Sequence, residues 1–114
     1  MVETFAALAE PNRFRIVELL RSGPHPVNAI GERLQLNQPQ VSKHLRLLKE
    51  AGLVDVQPRG QHRLYELRPQ PLRQLHHWLE RYRQLWDARF EQLDEVIEDF
   101  RAKEKAHGRT RKRP

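Results

Sequence analysis

The chain has 114 residues, 38% hydrophobic and 32% charged, with a formal net charge of +6 and no cysteine. That length is one domain with a modest core, and a chain this small gains from burying further surface in an oligomer. No apolar run approaches the roughly 20 residues of a membrane span, no secretory signal is expected at Met1-Val2-Glu3-Thr4, and disulfides, thiolate metal sites and cysteine nucleophiles are excluded together.

In chain order, Thr4 to Ala9 predicts a short helix. Pro11 stands near the start of a second, whose apolar face carries Ile16, Val17, Leu19 and Leu20. Ser22-Gly23-Pro24 stops it. Pro26 suits the first turn of a third helix, running to about Leu34, because a first-turn proline loses no needed N–H bond. After the tight connection Gln35-Leu36-Asn37, Asn37 is a good N-cap for a fourth helix through about Ala51, and Gly52 is its C-terminal stop. Residues 53–57 and 63–67 alternate in polarity around Pro58-Arg59-Gly60-Gln61, which predicts a β-hairpin.

From Pro71 to Lys103 a helical period returns. Leu72, Leu75, Leu79, Tyr82, Trp86, Phe90, Leu93, Ile97 and Phe100 fall at steps of three and four. One helix of about 33 residues would be about 50 Å long, too long for one small domain to cover. Residues 1–103 are therefore expected to form the domain, and 104–114 a basic, disordered tail.

The stretch from Val27 to Leu45 fits a helix-turn-helix. Two helices crossing over a tight turn need a small residue where their backbones meet, and Gly31 supplies it. Ile30, Leu34, Leu36, Val41, Leu45 and Leu48 can fill the shared interior, which leaves Gln38, Gln40, Ser42, Lys43 and Arg46 on the polar side, with His44 among them. Gln pairs with adenine, Lys with guanine or phosphate, and the start of such a helix enters the major groove. Gln35 departs from an ideal turn, since it stands where a left-handed glycine is usual, at a cost of about 1 kcal/mol.

A helix-turn-helix followed at once by a hairpin is the order of a winged helix. Arg59, Gln61, His62 and Arg63 cluster at the hairpin tip, where Arg suits phosphate or a narrow minor groove. The charge distribution agrees: residues 33–73 hold eight basic and three acidic side chains, a local +5 that suits a polyanion. The fold class is mainly α with a small β-hairpin, a winged helix-turn-helix with a long C-terminal dimerisation helix.

The sequence resembles the ArsR family of bacterial winged-helix repressors. The resemblance is carried by the run from Phe5 to Leu20, with Leu8-Ala9-Glu10-Pro11-Asn12-Arg13 at its centre, by the run from Gln38 to Val54, and by Arg63-Leu64-Tyr65-Glu66-Leu67. It implies a cytoplasmic homodimer built on the first and last helices, a recognition helix at 38–51, and autorepression through a double-stranded DNA operator. Large aromatics in a row usually mark an interface. Phe5, Leu8, Leu75, Trp78, Leu79, Tyr82, Leu85, Trp86, Phe90 and Leu93 are accordingly expected at the dimer seam.

Many relatives of this type sense metals. The stretch Pro26-Val27-Asn28-Ala29-Ile30 has no thiolate, so one typical site is absent. The alternative is a zinc site on the last helix, from His76, His77, Glu80, Asp87 and Glu91, with His76 and Glu80 one turn apart. Its spacing fits the family pattern poorly, and the aromatic-rich helix looks more like the metal-free branch. No cofactor, no metal and no enzymatic activity are expected: neither a nucleophile triad nor a Gly-rich phosphate loop can be assembled. The operator and any small-molecule or protein effector are not encoded in recognisable form.

Overall fold

The computed structural model describes the backbone of residues 1–106 and the side chains of 1–87 and 97–103. Five helices and a small sheet precede the last helix. In order they are α1 (Val2–Leu8), α2 (Pro11–Leu20), β1 (His25–Pro26), α3 (Val27–Leu34), α4 (Gln38–Glu50), β2 (Val54–Arg59), β3 (His62–Leu67), α5 (Pro69–Glu80) and α6 (Arg83–Ala106). The chain divides into two units, Met1–His76 and a second beginning at His77.

The first unit is built around a core from α2 (Ile16, Val17, Leu20), α3 (Ile30), α4 (Val41, Leu45, Leu48) and the entry to the sheet (Leu53, Val54), with Ala7 from α1. The helices form where the sequence supplies both an apolar stripe and a start signal. Glu10 caps α2, its carboxylate accepting the N–H groups of Asn12 and Arg13, and Pro11 follows at the first helical position. Helix α4 ends in a Schellman arrangement: Gly52, at φ +79°, donates to the Lys49 carbonyl and Leu53 to the Leu48 carbonyl, which turns buried Leu53 into the core.

The sheet differs from the expected two-stranded hairpin. It is antiparallel with three strands in the order β1-β3-β2, and β1 pairs His25 with Tyr65 and Pro26 with Leu64. Pro26 thus closes a two-residue strand and stands just ahead of α3, not within its first turn. Proline is tolerated there because β1 is an edge strand. This strand fastens the middle of the hairpin to the start of the helix-turn-helix.

The expected single helix over 71–103 is also corrected. It is interrupted at Arg81 and Tyr82, where the N–H groups of Arg81 and Tyr82 donate three residues back, to Trp78 and Leu79, at 3.1 and 2.9 Å. Tightening the turn in this way shifts the chain little, so the apolar spacing continues across the interruption. The Trp78 ring of α5 meets the Tyr82 ring edge to face at 5.1 Å, and the Arg83 guanidinium bridges the interruption to Glu80 at 3.3 Å while also pairing with Asp87 within α6 at 2.8 Å. Helix α6 extends to Ala106, three residues into the expected tail, and 107–114 lie outside the described residues.

Candidate nucleic-acid interface

Helices α3 and α4 meet over Gln35-Leu36-Asn37. The Gly31 carbonyl accepts the N–H groups of both Gln35 and Leu36, and Gln35 adopts the left-handed conformation, φ 58° and ψ 47°. It is the only non-glycine residue at positive φ among the described residues, so the strain read from the sequence is present. Arg15 of α2 adds a clasp, its guanidinium donating to the Leu34 carbonyl at 3.1 Å, where the end of α3 concentrates negative partial charge.

The start of α4 is held by a reciprocal capping box. The Asn37 side chain accepts the Gln40 N–H at 2.9 Å, and the Gln40 side-chain carbonyl accepts the Asn37 N–H at 3.0 Å. The sequence marked Asn37 as a cap but missed that Gln40 completes it. The Gln40 carbonyl is therefore committed to the backbone, and its NH₂ group is the part left to donate outward.

Val41, Leu45 and Leu48 are buried on one side of α4. Gln38, Gln40, Ser42, Lys43 and Arg46 are exposed on the other. Arg46 pairs with Glu50 at 3.2 Å, a surface contact worth about 0–1 kcal/mol and readily exchanged for phosphate. His44 departs from the expected set. Its side chain is only 13% exposed and turns toward α2, with Nδ1 3.5 Å from Glu10 Oε2. Helical spacing explains this: Val41 and Leu48 lie one turn to either side of His44, so all three share the buried flank.

Burial tends to raise the Glu10 carboxyl. The N–H groups of Asn12 and Arg13 and the charges of His44 and Arg13 outweigh that, and hold it below the usual carboxylate range. Glu10, which caps α2 and faces His44, was not among the candidate site residues read from the sequence. The readable signal was an acidic side chain immediately before Pro11 at a helix start.

The hairpin turns on two residues, Gly60-Gln61, with positive φ only at Gly60, as a type II′ turn requires. Arg59, Gln61, His62 and Arg63 are all exposed. Pairing divides them: Arg59 stands opposite His62, and Arg63 opposite Pro58. Arg63 therefore shares a face with Tyr65 and Leu67, which pack on the core, while Arg59 and His62 share the reverse face. Their adjacency in sequence hides this division.

Of the residues expected at a dimer seam, Phe5 is exposed, while Leu8 is half-buried and packs against the core of its own unit. In the second unit Leu79, Tyr82, Leu85 and Trp86 are exposed and Trp78 is half-buried. Leu75, on α5, is half-buried too. The side chains of Phe90 and Leu93 lie outside the described residues. Among the described residues no three His, Asp or Glu side chains converge as a metal site would need. Glu80 and Asp87, two of the zinc candidates, are both engaged by Arg83. His76 and His77 stand on α5, and the Glu91 side chain is not described.

A capped, half-exposed α4 ahead of a basic hairpin is the arrangement of a winged helix-turn-helix. A family model described as a helix-turn-helix domain matches residues 8–57. The chain is 42% identical over 76 residues to the HTH-type transcriptional regulator Rv2034 of Mycobacterium tuberculosis, spanning 67% of this chain and 71% of that protein. It is 30% identical over 79 residues to the transcriptional repressor SdpR of Bacillus subtilis, spanning 69% of this chain and 88% of that protein. Among solved structures it is similar to the homodimeric winged helix-turn-helix DNA-binding domain of a possible ArsR-family transcriptional regulator from Mycobacterium bovis. That match has a TM-score of 0.60 and 26% identity, and covers 73% of this chain and 77% of the other. The chain belongs to the ArsR family of helix-turn-helix transcriptional regulators. As an ArsR-family regulator it carries its helix-turn-helix at α3–α4 and its wing at β2–β3. No described helix of this ArsR-family chain is long and apolar enough to cross a membrane.

Proposed function

We propose that this regulator acts as a homodimeric repressor in the cytoplasm, binding a double-stranded DNA operator built as an imperfect inverted repeat. Each α4 enters a major groove, with Gln38, Gln40, Ser42 and Lys43 toward base edges and Arg46 toward phosphate. The wing tip, led by Arg59, Gln61 and His62, lies along the backbone or the adjacent minor groove, and Arg63 reaches the phosphates from the other face of the hairpin.

The observation that carries this reading is the division of α4 into a buried Val41–Leu45–Leu48 side and an exposed Gln/Ser/Lys/Arg side. Dimerisation is supported by the exposed apolar row Leu79, Tyr82, Leu85 and Trp86, and by the homodimeric state of the similar Mycobacterium bovis domain. Two-fold symmetry then sets the recognition helices about 34 Å apart, one helical turn of duplex.

The test is fluorescence anisotropy with the stretch upstream of the protein's own gene, run beside a shuffled duplex and a matched RNA duplex over a salt series. Selective, salt-dependent binding by a dimer is expected. Equal affinity for all three duplexes, or a monomer at micromolar concentration by ultracentrifugation, overturns the reading.

A further inference from the structure

His44 lies on the recognition helix but does not face outward with its neighbours. Its ring is 13% exposed, against 62% for the Arg46 side chain half a turn away. Ring Nδ1 is buried without a hydrogen-bond partner, and Glu10 Oε2 stands 3.5 Å away, within ion-pair range. A buried polar nitrogen with no partner is costly, and such exceptions call for a reason. The carboxylate opposite it is fixed on both oxygens, Oε1 accepting from Asn12 at 3.1 Å and Oε2 from Arg13 at 2.9 Å. One oxygen thus serves the cap of α2 and faces the recognition helix.

We propose that His44 is a positioning residue for operator recognition. With a proton on Nδ1 it holds α4 against the capped start of α2 through Glu10, and so sets the roll of α4 about its own axis. This rests on the DNA-binding reading given above.

The physical need is specific. Val41, Leu45 and Leu48 attach α4 by apolar contact, which is non-directional and tolerates a small roll. A roll of about 10° moves a side-chain tip by about 1 Å at a helix radius of 5–6 Å. Base contacts from Gln40 and Lys43 need placement within about 0.5 Å. A polar tie at the edge of the buried stripe restricts that freedom, because the attraction between Nδ1–H and the carboxylate weakens as a roll of the helix draws them apart. Phosphate contacts by long basic side chains are far less sensitive to it.

The experiment measures operator and random-duplex affinity at one salt concentration, together with thermal midpoints, for the full chain and for His44→Leu, His44→Gln, Glu10→Gln and the double variant Glu10→Gln/His44→Leu. His44→Leu is expected to lose about ten-fold or more in operator affinity with random-duplex binding nearly unchanged. His44→Gln, which keeps an N–H donor, should recover much of the loss. Once Glu10 is Gln, His44→Leu should cost little more. In the ¹⁵N spectrum at about pH 8, above the ordinary imidazole range, His44 should carry its proton on Nδ1 in the unaltered chain and shift toward Nε2 in Glu10→Gln. Unchanged operator selectivity in a folded His44→Leu, or no recovery in His44→Gln, overturns the proposal. Should His44→Leu fail to fold, an unprotonated Nδ1 in the unaltered chain overturns it, and a protonated one that responds to Glu10→Gln supports it. An unaltered chain that binds no duplex selectively removes the DNA-binding reading itself, and this proposal with it.

Discussion

Gly31 and Leu36 touch through their backbones. The Leu36 N–H donates to the Gly31 carbonyl at 3.0 Å, and a Cβ on Gly31 would stand 2.9 Å from the Leu36 carbonyl oxygen. That approach is what lets α3 and α4 cross over three residues. Gly31→Ala would gain about 1 kcal/mol of helix propensity but would force backbone against backbone. We expect a net loss of about 1–2 kcal/mol, read as a lower urea midpoint with an unchanged slope. A variant as stable as the parent would show that the crossing is looser than this contact implies.

Gln35 gives the opposite sign. It holds φ 58° in the place that ends α3 and opens the turn. Gln35→Gly relieves about 1 kcal/mol of left-handed strain, and the extra chain entropy of glycine takes back part of it. A small rise in thermal midpoint is expected, with no matching rise for Gln35→Ala, which keeps the Cβ.

Gln40 closes the capping box and is proposed to contact a base, and two substitutions separate these. Gln40→Glu preserves the box with Asn37, and an acid in the first turn suits the helix dipole. Stability should hold or rise while operator affinity falls sharply, because a carboxylate cannot donate to a base and repels phosphate. Gln40→Ala should lose about 0.5–1 kcal/mol of stability from the cap and relax sequence choice. Operator binding by Gln40→Glu at the parental level would remove Gln40 from the DNA contact.

Lys43 and Arg59 should fail in different ways. Lys43→Ala is expected to cost about 1–3 kcal/mol on the operator and to blur discrimination at one base position. Arg59→Ala, on the reverse face of the wing, should weaken operator and random duplex alike and reduce the salt slope by about 1. A base-specific loss at Arg59 would place the wing in a groove instead of along the backbone.

Glu10 predicts a dependence on pH. Its carboxyl lies below the usual range in the folded chain, so the contribution is complete above the unfolded value of about 4.3 and is lost as pH falls through the lower folded value. The gap in unfolding free energy between the parent and Glu10→Gln should therefore narrow on acidification below about pH 4. A gap that widens as the pH falls below about 4 contradicts the assigned direction.

Much of this was legible in the residues. The change from helical to alternating period placed α2, α3, α4 and the hairpin. Asn37 and Gly52 marked the ends of α4, and Gln35 announced its own strain. Other features were not legible. A two-residue strand carrying Pro26 has no period to detect, so β1 was missed. The interruption at Arg81-Tyr82 preserves the three-and-four spacing, so the pattern could not reveal it.

The sequence by itself determined the helices α2, α3 and α4 and the two hairpin strands, where α4 begins and ends, and which of its sides is apolar, because each of these is written within one or two turns of chain. Only the tertiary structure decided which polar residues face outward. His44 sits at the margin of the buried stripe, and the group it meets there, Glu10, comes from a separate helix start. Arg59 and Arg63 are parted by the register of the sheet. Such choices depend on neighbours brought together by folding, and no local pattern contains them.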